Sequence, residues 1–153
     1  MPRAAPLSPD SAACVCGRLR RAARALTQLY DDAMAPSGLR ITQFSLLRTL
    51  ARRGPLRITE LATIALLDRT ALSRNLEPLV AQEWVKIEAG RDARTREVTL
   101  TRAGRAALAR ALPLWRRAQA EVARRLGSDR TDALVGLLGS VEELHPAPEP
   151  RGA

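Results

Sequence analysis

Aromatic residues are scarce in this 153-residue sequence, at 3%, so the core must be built mainly from Leu, Ala and Val. That mix favours helices, because Ala, Leu and Arg all have high helix propensity. Histidine occurs once, as His145, and cysteine twice, as Cys14 and Cys16. One terminal imidazole and two neighbouring thiols supply neither a Ser/His/Asp group nor the roughly four ligands of a zinc site within one chain. No glycine-rich phosphate loop is present either, so neither an enzyme nor a cofactor is expected. The cysteines are too few and too close for a secreted disulfide framework. No apolar run approaches the ~18 residues of a membrane span, and the first ten residues lack a signal-peptide pattern. The expectation is one domain, cytoplasmic and without a membrane partner.

Lysine is also nearly missing. Lys86 stands alone among 25 basic residues, and the rest are arginine. A net charge of +9 and a pI near 11.3 suit a polyanionic partner. The alternative, with charge taken alone, is a solvated arginine-rich surface.

Residues 1–10 hold three prolines and are expected to be disordered, as is the proline-rich tail 145–153. Between them, residues 11–144 show helical periodicity. From Ser11 to Ala35, Val15, Leu19, Ala22, Ala23, Leu26, Leu29 and Tyr30 fall on one stripe about 120° wide. Pro36, Ser37 and Gly38 end that helix. Thr42 is the expected N-cap of a second helix, with Phe44, Leu47 and Leu50 inward and a stop at Gly54-Pro55. Leu56 to Ile58 suit a short strand. Thr59 is then expected to cap a third helix with Leu61, Ala62 and Ala65 inside, and Asp68 a fourth. Trp84, Val85 and Ile87, then Val98 and Leu100, flank a hairpin tip running from Gly90 to Arg96. Thr101 opens a long helix that Pro113 should bend and Gly127 should close. Ser128 is expected to cap a last helix carrying Leu134, Val135, Leu137, Leu138 and Val141.

Two short helices followed by a basic hairpin have the layout of a winged helix-turn-helix. The expected fold is therefore mainly α with a small β-hairpin wing. Its lobe spans 39–101, and the long terminal helices, 11–38 and 102–144, serve dimerisation. The alternative is that those helices fold back on their own lobe. A homodimer would match a palindromic operator in double-stranded DNA, with half-sites ~10 base pairs apart.

In the fourth helix Leu72, Leu76, Leu79 and Val80 form the inner side, while Thr70, Ser73, Arg74 and Glu77 lie opposite and Asn75 sits on a flank. Arginine can pair bidentately with guanine, and short hydroxyls reach bases or phosphates. Arg69 and Thr70 sit at the helix start, where backbone amides favour a phosphate. Pro78 removes one helical hydrogen bond and should bend the C-terminal half away. At the hairpin tip Arg91, Arg94 and Arg96 suit a narrow minor groove, and Asp92 is expected to hold a neighbouring arginine. The alternatives are an ordinary polar helix face and a solvated charged turn.

These residues resemble the MarR family (multiple antibiotic resistance regulators) of bacterial transcription factors. The wing signature is carried by Asp92-x-Arg94 and Val98-x-Leu100-Thr101-x-x-Gly104. The helix-turn-helix is similar at Thr59-Glu60-Leu61-Ala62 and at Leu66-x-x-x-Thr70-x-x-Ser73-Arg74-x-x-x-x-Leu79. The resemblance runs from about Cys14 to Leu144. It implies an obligate, triangular homodimer that represses genes near its own until a small ligand or a cysteine oxidation releases it. It also implies that Arg94 enters the minor groove, that Asp92 braces the lobe, and that a phenolic or aromatic ligand sits between dimer arms and lobes. The chain departs from the pattern at Pro78 and at Glu83-Trp84, where a glycine is common.

Cys14 and Cys16 point about 200° apart on a helix and cannot bridge each other unless its start unwinds. They are read either as packing residues of a dimer seam or as redox, electrophile or thiophilic-metal sensors, with Arg18, Arg20 and Arg21 nearby to favour thiolates. Two cysteines from each subunit could also make a four-sulfur metal site, although nothing else supports one. Two rival functions stand beside the regulator: a non-specific architectural DNA binder and a thiol oxidoreductase using the two cysteines.

Overall fold

The computed structural model describes residues 14–90, 92 and 94–145. Residues 1–10, the expected helix start at Ser11 and the tail from residue 146 onward lie outside the described residues. Six α-helices and a three-stranded antiparallel sheet follow in the order α1 (Val15–Met34), α2 (Ile41–Arg53), β1 (Leu56–Arg57), α3 (Ile58–Ile64), α4 (Arg69–Ala81), β2 (Val85–Ala89), β3 (Arg96–Leu100), α5 (Arg102–Leu126) and α6 (Ser128–Glu142). This is the mainly helical, winged architecture expected from the sequence.

The hairpin closes with Ile87 opposite Val98 and Val85 opposite Leu100. Strand β1 adds to the far side of β3, with Leu56 opposite Val98 and Arg57 opposite Glu97. Alternation along β3 turns Val98 and Leu100 into the core.

Three helices begin elsewhere than expected. In α2 the flanking residue is Arg40, whose N–H donates to the Gln43 side chain at 3.0 Å, and the next N–H is taken by Asp31 at 2.7 Å. Thr42 is therefore inside the helix and exposed. In α3 the Glu60 carboxylate accepts the Arg57 N–H at 2.9 Å, so the helix starts before Thr59. A side chain three residues into each helix binds back to the flanking amide, and the amide two residues after Thr42 is already bonded within the helix turn, Phe44 N–H to the Arg40 carbonyl at 2.9 Å. Ser128 is likewise the first helical residue of α6; Gly127 flanks it and accepts from the Thr131 N–H at 3.0 Å. Asp68 and Thr101 do cap α4 and α5, accepting from Ala71 at 2.7 Å and Gly104 at 3.0 Å. Helices α4 and α5 run unbroken across Pro78 and Pro113.

The core lies where α2, α3, α4 and the sheet meet the first half of α5. Phe44, Leu47, Leu50, Leu61, Leu72, Leu79, Val85 and Val98 are fully buried there. Each such side chain contributes about 1.5–3 kcal/mol on leaving water. The buried residues of α5 in this region are Gly104, Ala107 and Ala111, small enough to let the helix approach closely. Trp115 then stacks on Phe44, with ring centroids 5.7 Å apart, and Arg48 lies 4.4 Å over the same indole. Two of the few aromatic residues thus tie α2 to α5. Val80 departs from the expected inner side: it is 41% exposed and lines a surface groove together with Ile58 and Ile87.

The terminal helices bury much less. In α1 only Met34 is buried, and Val15, Ala22 and Ala23 of the predicted stripe are exposed. In α6 nothing is buried, and Val135, Leu137 and Leu144 beyond its end are 62%, 67% and 80% exposed.

Candidate nucleic-acid interface

The turn between α3 and α4 determines how the second helix is presented. Helix α3 ends with Leu66 in the left-handed region (φ 51°). The Leu66 N–H donates to Thr63 and the Leu67 N–H to Ala62, which closes the helix in the double-bonded C-terminal motif normally built around glycine. Asp68 then caps α4 directly. The same motif recurs at the end of α4. Glu83 sits at φ 57°, its N–H donates to Val80, and the Trp84 N–H donates to Leu79. Two matching stops therefore frame α4 and fix its length and its entry into β2.

With Leu72, Leu76 and Leu79 locked in the core, Arg69, Thr70, Ser73, Arg74 and Glu77 are left exposed together. Asn75 is half-buried, and its amide donates to the Ala71 carbonyl at 2.8 Å, on its own helix. The exposed arginines and hydroxyls lie along a helix of 13 residues, a rod that a major groove accepts.

The wing tip is held by Asp92. Its carboxylate accepts the Arg94 backbone N–H at 3.0 Å, and its carbonyl accepts both the N–H and the hydroxyl of Thr95, at 2.8 and 2.7 Å. The contact is thus to the backbone of the neighbouring arginine, which sets where Arg94 projects. Arg94 and Arg96 are exposed; Arg91 lies outside the described residues.

The wing joins the lobe at Thr101. Its hydroxyl donates its single proton to the Glu83 carbonyl (2.6 Å), shared with the Trp84 carbonyl at 3.1 Å, and accepts the Gly104 N–H. Its own N–H donates to Trp84 at 3.0 Å. Gly104 packs so tightly that a Cβ there would collide with the Trp84 carbonyl. The Thr-x-x-Gly pattern is therefore a clamp joining wing, recognition helix and long helix.

Between wing and α4 lies a cleft of about 220 Å³ lined by Arg57, Ile58, Thr59, Arg69, Arg94, Thr95 and Arg96. Arg57 was missed by sequence reasoning and Thr59 was read only as a cap. The available signal was a basic residue at the strand that pairs beside the wing. Among the described residues the ion pairs are Lys86–Glu88, Arg124–Glu121 and Arg125–Glu121, so none neutralises the cleft or Arg74.

At the other end of the molecule, Cys14 is the N-cap of α1, its Sγ accepting from the Gly17 N–H at 3.5 Å, and both cysteines are exposed. Among the described residues no group of three or more candidate ligands could hold a metal ion. No helix among them is long and apolar enough to cross a membrane. Between α1 and α5 the Tyr30 hydroxyl donates to Gln119, and burial raises the Tyr30 pKa. Near the end of α5 the hydrogen bonds from Arg124 and Arg125 lower the Glu121 carboxyl to about 2.

Comparison with known proteins finds transcriptional regulators solved with DNA. A family model described as MarR family matches residues 37–95, from the end of α1 to the wing tip. The M. tuberculosis transcriptional regulator MosR, solved in complex with DNA, is 41% identical over 88% of this chain and 100% of that one, with a TM-score of 0.75. The repressor CouR bound to a 23-mer DNA duplex is 29% identical over 84% of this chain and 92% of that one, TM-score 0.76. A cysteine-to-serine mutant of E. coli MarR complexed with operator DNA is 26% identical over 83% and 93%, TM-score 0.74. No curated protein sequence matches the chain. The chain belongs to the MarR family of winged helix-turn-helix transcriptional regulators, which act by binding DNA.

Proposed function

We propose that the protein is a cytoplasmic, homodimeric repressor that reads a palindromic operator, with no catalytic turnover of its own. The observation that carries this reading is the shared exposure of Arg69, Thr70, Ser73 and Arg74 on α4 and of Arg94 and Arg96 on the wing, joined by the basic cleft. One face can then meet a major groove, a minor groove and the phosphates between them. Dimerisation is supported by the uncovered apolar residues of α1 and α6. The lobe, 39–101, would read DNA and the helices of 11–38 and 102–144 would pair two copies.

Arg74→Ala should cost about 1–3 kcal/mol of operator affinity and relax preference at one base position. Arg94→Ala should weaken binding and flatten its salt dependence. Near-normal binding by both variants would overturn the assigned reading surface.

Two kinds of inducing signal are supported. A cleft of about 640 Å³ between α1 and α5 has apolar walls, including Leu29, Ala33 and Leu114; Asp32 and Arg117 also line it, with Arg124 paired to Glu121, which suits a small aromatic ligand carrying polar groups. The exposed thiols of Cys14 and Cys16, with Arg18, Arg20 and Arg21 following on α1, suit oxidation. Replacing both cysteines with serine separates the two. Unchanged release of DNA by peroxide in that variant would eliminate the thiols as the sensor.

A further inference from the structure

The cleft between wing and α4 has features that a flat contact surface does not need. Four arginines reach it from four places in the chain: Arg57 from β1, Arg69 from the first residue of α4, Arg94 from the tip, and Arg96 from the start of β3. Thr59 and Thr95 add hydroxyls. Four acids neighbour these arginines in sequence; the carboxylates of Asp68 and Asp92 accept the backbone N–H groups of Ala71 and Arg94. Glu60 accepts the Arg57 backbone N–H, and Glu97, across the ladder from Arg57, makes no ion pair among the described residues. Four uncompensated guanidiniums around a space of about 220 Å³ raise one another's free energy, and each presents several N–H donors. A phosphoryl group, with its negative charge spread over several tetrahedrally arranged acceptor oxygens, can meet donors from several directions and relieves that repulsion, as a neutral base edge does not.

We infer that this cleft is a phosphoryl-binding site in which Arg57, on β1, is a ligand together with Arg69, Arg94 and Arg96. The phosphoryl group comes from one of two sources: a backbone phosphate of duplex DNA, or the phosphate of a free polyanion that would then compete with DNA. The first source rests on the DNA-binding reading above; the second does not. A phosphate seated there lies between the helix in one groove and the wing in the next. It would fix the register of the whole lobe without reading a base.

The test compares the full-length wild-type protein with Arg57→Gln and with Arg116→Gln, an exposed arginine of α5 outside the cleft. Both substitutions remove one positive charge, so a general loss of charge affects them alike. Affinity is measured for operator DNA across a salt series, and separately for inorganic pyrophosphate by phosphorus NMR and by competition with DNA. Arg57→Gln is expected to weaken DNA binding about tenfold and to lower its salt slope by roughly one, with Arg116→Gln close to wild type. Arg57→Lys, which keeps the charge but not the planar fork, should recover only part of the loss. Loss of DNA affinity alone identifies the duplex as the source. Saturable pyrophosphate binding that Arg57→Gln abolishes identifies a free polyanion as well. Equal behaviour of Arg57→Gln and Arg116→Gln toward both ligands overturns the proposal. A wild-type protein that prefers no DNA sequence but still binds pyrophosphate through Arg57 would overturn the operator reading and leave the cleft standing.

Discussion

Thr101 and Gly104 show how much a single short motif can carry. One hydroxyl serves two carbonyls at the end of α4 and one amide at the start of α5, and the space beside it admits only hydrogen at Gly104. Gly104→Ala forces a methyl against a backbone carbonyl that is itself hydrogen-bonded. It should cost at least about 3 kcal/mol and lower the melting temperature by roughly 10 °C at fixed protein concentration; an unchanged melting curve would show that the helix can shift freely. Asp92 acts by geometry and not by charge, since the contact observed is from its carboxylate to the Arg94 backbone N–H. Asp92→Asn keeps an acceptor in the same place and should bind DNA within about twofold of wild type, whereas Asp92→Ala should lose several-fold in affinity. Equal losses in a DNA-binding assay would assign the residue's role to its charge.

At the scale of elements, the two helix stops framing α4 hold non-glycine residues where glycine is normally favoured. The left-handed conformation costs an L-residue about 1–2 kcal/mol, partly offset here by its smaller unfolded-state entropy. Glu83→Gly should therefore stabilise the protein by about 0.5–1 kcal/mol in chemical denaturation without changing DNA affinity. A loss of stability would mean that the Glu83 side chain contributes more than its backbone strain costs. At the end of α5, Glu121 is held well below its ordinary pKa by Arg124 and Arg125. A lowered carboxyl stabilises the fold above its unfolded pKa and loses that effect as pH falls through about 2. Glu121→Gln should thus melt slightly below wild type at neutral pH, with the gap closing between about pH 4.5 and 2 and shrinking in salt. A gap independent of pH would contradict the pairing.

The elements themselves were legible because periodicity records which face each helix buries: Leu72, Leu76 and Leu79 read directly as the inside of α4. Helix starts were less legible. Thr42 and Thr59 look like caps, but both lie inside helices that start at Ile41 and Ile58, where Gln43 and Glu60 bind back to the flanking amides of Arg40 and Arg57. The exposed face of α4 and the wing arginines followed from spacing alone. The participation of Arg57 did not, because β1 and β3 pair across some forty residues of chain and no local pattern marks that contact.

At the scale of the whole molecule, the lobe is a complete core while α1 and α6 are not. Val135 and Leu137 stand largely in solvent on a helix that buries nothing, which suits the proposed pairing with a second copy. Leu137→Asp should shift the protein toward monomer in light scattering. Because two linked half-sites bind far more tightly than one, operator affinity should also fall by roughly 100-fold or more. A Leu137→Asp protein that remains dimeric and binds normally would remove α6 from the interface. The charge of +9 draws any duplex, so affinity by itself distinguishes little. The decisive measurement is the affinity for the gene's own upstream DNA divided by that for a scrambled duplex of equal length, by fluorescence anisotropy at fixed salt. A ratio of roughly 10³ or more is expected of an operator-reading regulator. Equal affinity for the two duplexes would contradict it and leave a basic winged protein that coats DNA without reading it.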